Sequence, residues 1–197
     1  MAVGFEMKFE MPGWLEKIER ARGEINLFIA ATMQTNRGQL FDSEGANNGG
    51  QRWAPLVFRK GQILSDRGNL RKSLAPTPAT GKAGPGGMVS IADDTITIGT
   101  NLYYASMMND GTTKMPGGVL RPVNAQALKI PLPGGVNATD TAKSLRKNAS
   151  GSGKEKFIFR KSVRIPARPF DRWTQEDEQE MSDALTNKIL EVMSREG

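Results

Sequence analysis

Apolar residues recur at helical spacing near both ends of the chain and alternate at strand spacing between them. Trp14, Ile18, Ala21, Ile25, Phe28 and Ile29 lie three or four apart, with Glu16, Lys17, Glu19, Arg20, Arg22 and Glu24 between them. That pattern predicts an amphipathic helix over Trp14–Met33. Pro12-Gly13 punctuate its start, and Glu16–Arg20 form an i,i+4 pair suited to an exposed face. From Thr35 to Gln51 the chain turns polar and rich in Gly and Asn, which predicts a loop insertion over about 34–52. Leu70 and Leu74 then share one face of a short helix over Gly68–Leu74, which Pro76 and Pro78 end. Residues of about 76–87 form a second, Gly-rich loop.

Strand patterning begins at Met88. Met88–Ile91 and Thr95–Ile98 flank Asp93-Asp94 and predict a β-hairpin, with Ile96 and Ile98 on its buried side and Thr95 and Thr97 on its wet side. Leu102–Asp110 reads as a short helix ended by Gly111, and Ala127–Leu132 as an edge strand because Pro131 lacks an N–H. Pro133–Lys156 is poor in apolar residues and longer than the ~12–15 residues usual for structureless loops in compact domains, so it predicts a projecting or disordered arm. Within Lys156–Ile165, Phe157, Phe159, Val163 and Ile165 share one parity, and Ile158, Arg160, Ser162 and Arg164 the other. This predicts an outward face that is largely basic.

Pro166, Ala167, Arg168, Pro169 and Phe170 come next as a stiff extended hinge, in which Arg168 is expected to make a fixed ion pair or carbonyl contact. A last helix is expected after Thr174, a good N-cap with Asp177 three positions on. Its stripe is Met181, Ala184, Leu185, Ile189 and Val192. The predicted fold class is α+β: a mostly antiparallel sheet packed against N- and C-terminal helices, in a single domain of residues 1–197, with a long flexible hairpin arm over about 112–164.

Composition narrows the chemistry. The chain has no His and no Cys. This removes the commonest metal ligand, the usual base near neutral pH and the Ser-His and Cys-His nucleophile pairs. No catalytic, cofactor-binding or metal-binding residue is predicted, and a carboxylate-dependent hydrolase is the least favoured reading. Asp93-Asp94 suit a turn better than a paired-carboxylate site, because adjacent strand residues point apart. Asp177 and Glu180 fit a solvated first turn matched to the helix dipole. The Gly pairs lack a phosphate-loop signature, and the Met residues fit core positions without a cofactor. No apolar run reaches the ~20 residues needed to cross a bilayer, and residues 1–10 lack a secretory pattern, so no membrane partner and a cytoplasmic site of synthesis are expected.

Net charge is +6, unevenly spread. Lys143, Arg146, Lys147, Lys154, Lys156, Arg160, Lys161, Arg164 and Arg168 are opposed only by Glu155, whereas Glu176–Gly197 is strongly acidic. The basic run from Lys143 to Arg164 fits three readings: a solvated face, a contact with phosphate, or docking onto the acidic last helix of a neighbouring copy. No aromatic residue lies between Lys143 and Lys156, so contact with genomic DNA would be sequence-independent and without base stacking.

Three blocks resemble a known family. Arg52-Trp53-Ala54-Pro55-Leu56 with Ile63–Leu74 is similar to a "W-x-P-L … I-L-x-x-x-G-x-L-x-x-S" pattern. Ile96–Asn101, Tyr104-Ala105 and Gly111 are similar to "I-G-(T/S)-N … Y-A … H-x-x-G", with Asn109 or its neighbours standing where a His is usual. Ile165–Phe170 resembles "I-P-A-R-P-F". Together they resemble the phage virion-morphogenesis family, the tail-completion proteins of Mu-like and P2-like bacteriophages. The resemblance implies a non-catalytic virion protein of the tail neck, a tail completion or tail terminator protein assembled in the host cytoplasm. It would form a ring, expected as a hexamer, on the tail tube protein and join it to head–tail connector or neck proteins. The rival reading is a sequence-independent nucleic-acid-binding protein using residues 143–168.

Overall fold

The computed structural model describes residues 13–57, 61–64, 67–92, 95–113, 115–132, 138, 140–147, 149 and 156–195. Its frame is a pair of long helices, α1 (Gly13–Asp42) and α5 (Gln175–Ser194), packed along each other. They run antiparallel: Lys17 Nζ meets the Arg195 carbonyl at 3.1 Å, Glu24 meets Lys188 at 2.7 Å, and Asn36 meets Asp177 at 2.6 Å. The fold class is the expected α+β, with helices at both ends.

The first helix runs well past Met33, which corrects the loop expected from Thr35. Gln34, Asn36 and Arg37 look like loop residues in sequence but are buried on α1. Each bonds a distant polar group, as burial favours. Gln34 donates to the Lys82 carbonyl at 2.7 Å and accepts from the Gly81 N–H at 3.0 Å. Leu40 and Phe41 then carry the helix into the core.

That core gathers Leu40, Phe41, Trp53, Ile63, Leu70, Leu74, Ala105 and Phe170. Phe41 is fully buried, edge-on to Trp53 (5.7 Å between centroids) and stacked on Phe170 (6.1 Å). Burying such a side chain contributes about 2–3 kcal/mol. Around it lie α2 (Asn69–Leu74), the hairpin of β1 (Gly87–Ala92) and β2 (Thr95–Thr100), and α3 (Ala105–Asp110). Val89 pairs with Ile98 and Ile91 with Ile96, so the alternation read in the sequence sets the register. Asp93-Asp94, expected as the turn, lie outside the described residues.

The strands divide into two separate two-stranded antiparallel sheets rather than one. The second joins β3 (Leu128–Leu132) to β4 (Lys156–Arg160). Between these strands lies α4 (Asp140–Lys147), where the sequence predicted a structureless arm. Asp140 in its first turn and Arg146 and Lys147 in its last complement the helix dipole, and Ala142 is fully buried. The elements β3, α4 and β4 make their main contacts with one another. A bridge between Leu120 and Val163 leads from this unit back to the body. Among the described residues no helix is long and apolar enough to cross a membrane.

Candidate functional site

The hinge expected at Ile165–Phe170 is threaded through the body. Thr112 N–H donates to the Ile165 carbonyl at 2.9 Å, and Ile165 N–H donates back to Thr112 Oγ1 at 3.2 Å. Gly111, which ends α3, makes the crossing feasible. Its φ of 64° and ψ of −157° belong to glycine, and a Cβ there would stand 2.5 Å from Ala167 N and Ile165 O. Arg168 is buried; its N–H is shared by the Met108 and Asn109 carbonyls at 3.1 and 3.0 Å. Its guanidinium donates to the Ala54 carbonyl through Nε (3.4 Å) and Nη2 (3.3 Å). Of the two contacts expected of Arg168, the carbonyl is the one found. Burial pulls its pKa below the usual arginine value.

Asn109 closes the latch. Its Oδ1 accepts from the N–H groups of Phe170 (2.9 Å) and Asp171 (3.3 Å). Pro166 and Pro169 have no N–H to satisfy and hold φ near the extended value, so neither adds a donor where the segment crosses the body. Two further arginines grip the stretch between this hinge and α5. Arg37 Nη1 donates to the Phe170 carbonyl at 3.0 Å and to that of Arg172, and its guanidinium lies 4.9 Å from the Trp173 ring centre. Arg172 Nη2 donates to the Gly45 and Asn47 carbonyls at 2.8 and 2.6 Å. Burial lowers the Arg37 pKa, partly offset by the Asp177 carboxylate.

Asp177 is not in a solvated turn, which corrects the sequence reading. It is buried and completes a capping box: its N–H donates to Thr174 Oγ1 at 3.1 Å, and its Oδ2 accepts from Thr174 N–H at 2.8 Å. Asn36 and Asn48 both donate to Oδ1, at 2.6 and 2.5 Å. Burial pushes the carboxyl pKa up, but the bonds from Asn36, the Thr174 backbone and Asn48 outweigh it and hold the pKa below the ordinary value. No signal in the chain singled out Arg37 or Asn36, and Asn109 stood out only as lying where the resembled pattern has a His. Leu40-Phe41, about two turns beyond Met33, is the apolar continuation that marks the longer helix.

An open groove of about 430 Å³ lies beside the latch. Leu74, Ile98 and Phe170 give it apolar lining; Ser106, Asp110 and Asp171 give it polar lining. Arg37 and Trp173 also line it, and Arg37 Nη2 is buried there with no acceptor among the described residues.

The expected contact residues sit away from this latch, on the arm. Lys143, Arg146 and Lys147 lie on α4, and Lys156 and Arg160 on β4, with Lys161 and Arg164 just after it. Lys154 lies outside the described residues. Lys143 pairs with Asp140 at 3.3 Å, while Lys147, Arg160, Lys161 and Arg164 are exposed and form no ion pair among the described residues. The parity expected for β4 is reversed. Ile158 pairs with Ile130 and Lys156 with the buried Leu132, so they share the covered face. Phe157 and Phe159 lie on the other face; Lys129 Nζ caps Phe157 at 4.0 Å, and Phe159 is 54% exposed. On α5, Glu176, Glu178, Glu180 and Asp183 are exposed with no basic partner among the described residues.

Such an arrangement suits macromolecular contact: an acidic helix and an arm carrying cations and an uncovered aromatic ring. Comparison with known proteins returns no family model, no curated protein and no solved structure that matches the chain.

Proposed function

We propose that this chain is a structural subunit of a tailed bacteriophage, a tail completion or tail terminator protein. It acts by contact, assembling as a ring on the tail tube at the head–tail junction. What supports the reading is that the three sequence blocks carrying the resemblance meet in one latch. Trp53 packs in the core beside Phe41, Ala54 accepts from Arg168, and Asn109 accepts from Phe170 and Asp171. Arg168 of the third block and Ala54 of the first, 114 positions apart, are thus tied directly. A ring needs two different surfaces on each subunit, and the basic arm and acidic α5 supply them. Native mass spectrometry of the purified chain, alone and with tail tubes, tests the proposal. A closed cyclic species, with six copies expected, supports it; a chain that stays monomeric in both samples sinks it.

A second reading has its own observation: the exposed cations Lys147, Arg160, Lys161 and Arg164 on one arm. These suit phosphate contact without base readout. Binding to duplex DNA that falls steeply with salt supports that reading, since each neutralised phosphate releases counterions. Absent or salt-insensitive binding removes it.

A further inference from the structure

We infer that Phe159 and its flanking cations on one copy dock into the groove between β2, α3 and the latch on a second copy. The inference rests on the ring-subunit reading and identifies the faces that meet.

On the arm, β4 turns Phe159 away from the covered Ile130–Ile158 face. Its neighbour on that side, Phe157, is already capped by Lys129, so Phe159 is the ring left open. Arg160 and Lys161 come directly after it, both exposed and without an ion pair among the described residues. The groove offers the complementary set. Buried Leu74 and Phe170, with Ile98, supply an apolar seat of a size that takes a ring and adjoining backbone. Arg37 lines the inner wall, while the exposed Asp171 supplies negative charge at the margin, and the exposed acids of the first turn of α5 begin five residues after it. Seating the ring removes apolar surface from water, while opposite charges at the margin set orientation and partner choice.

Within one copy the two surfaces are both open, so the contact is unmade there. Because arm and groove are different patches, the contact between copies is head-to-tail and either closes into a ring or runs on as a filament.

The absence of Cys from the chain makes a clean cross-linking test available. Phe159→Cys with Ser106→Cys places one thiol on the arm and one in the exposed wall of the groove. Under mild oxidation the double variant should give a reducible ladder of dimers and higher species. A mixture of the two single variants should give the mixed 106–159 dimer, identified by peptide mapping. Phe159→Asp, with an unchanged far-ultraviolet spectrum, should weaken association by about ten-fold or more. A faster-migrating monomer with an intrachain 106–159 disulfide would overturn the inference. So would wild-type-like association of Phe159→Asp together with failure of the Phe159→Cys/Ser106→Cys chain to give the ladder, though that result leaves the ring reading intact. A wild-type chain that remains monomeric by native mass spectrometry, with and without tail tubes, overturns both.

Discussion

Arginine is used in opposite ways by the latch and the arm. In the latch, Arg37, Arg168 and Arg172 direct their donors to backbone carbonyls of Phe170, Ala54, Gly45 and Asn47. On the arm, Arg160 and Arg164 are exposed and hold no ion pair among the described residues. The first group works as multi-pronged hydrogen-bond donors that fix chain crossings; their charge is a cost of burial. The second keeps its charge in water, where it is available to a partner. Net charge therefore says little until each cation is placed, because Arg37, Arg168 and Arg172, three of the 27 basic residues, serve the scaffold.

The largest test of this contrast concerns the backbone beneath it. Gly111 and Gly117 both have positive φ, 64° and 71°. Only Gly111 has the ψ of −157° that other residues avoid and a crossing chain 2.5 Å from a would-be Cβ; at Gly117 the nearest atom is Arg121 Nη2 at 3.6 Å. Gly111→Ala should cost about 3 kcal/mol or more, and Gly117→Ala about 1 kcal/mol. Equal midpoints in urea for the two variants would mean that the latch crossing is not tight.

Next comes the same deletion made in both regions. Arg168→Ala removes a buried guanidinium, leaves the half-buried Ala54 carbonyl without its donor and should cost about 2–4 kcal/mol. Arg160→Ala should stay within about 0.5 kcal/mol of wild type in the isolated chain. Comparable losses in thermal unfolding would erase the distinction between scaffold and contact arginines.

The capping carboxylate ranks third. Asp177→Ala removes a capping box and the acceptor of Asn36 and Asn48, at about 2–3 kcal/mol. Since the folded pKa lies below the ordinary 3.8, the stabilisation is full above that value and is lost as pH falls through the folded one. Acid titration of unfolding should therefore be shallower in Asp177→Asn than in wild type below about pH 4. Parallel curves would mean that the carboxylate charge is not what Asn36 and Asn48 read.

The sequence made the apolar periodicity legible and hid the polar burial. The hairpin of Met88–Ile98, the stripe of α5 and the Thr174 cap emerge from spacing alone, because period and face are local properties. The second half of α1 does not. Gln34, Asn36 and Arg37 resemble loop residues until the carbonyls and carboxylate that satisfy them are known, and those lie 48, 141 and 133 positions away. The arm shows the same limit. Phe157 and Phe159 look like core residues, but α4, formed inside a Gly- and Ser-rich stretch, accompanies burial on the Ile158 side instead. The hinge was readable as stiff from its two prolines, whereas Asn109 as its acceptor was not.

Between buried and solitary cations stands a third kind, paired at the surface, and it should give the smallest effect. Arg195 meets Glu24 at 2.7 Å and Glu191 at 2.5 Å, and Lys188 joins both acids where α5 ends against α1. The guanidinium of Arg195, then Lys188, holds Glu24 down at about 2 from an ordinary 4.5. Glu24 thus contributes fully above about pH 4.5, and its contribution fades as pH falls toward 2. Solvent and salt screen such a cluster. Glu24→Gln should lower the thermal midpoint slightly at neutral pH and low salt, with the gap closing both in high salt and on acidification through that window. A gap that persists in high salt would place this cluster with the buried latch rather than with the surface. The division between the two regions would then have to track burial of the whole α1–α5 seam instead of the position of each charge.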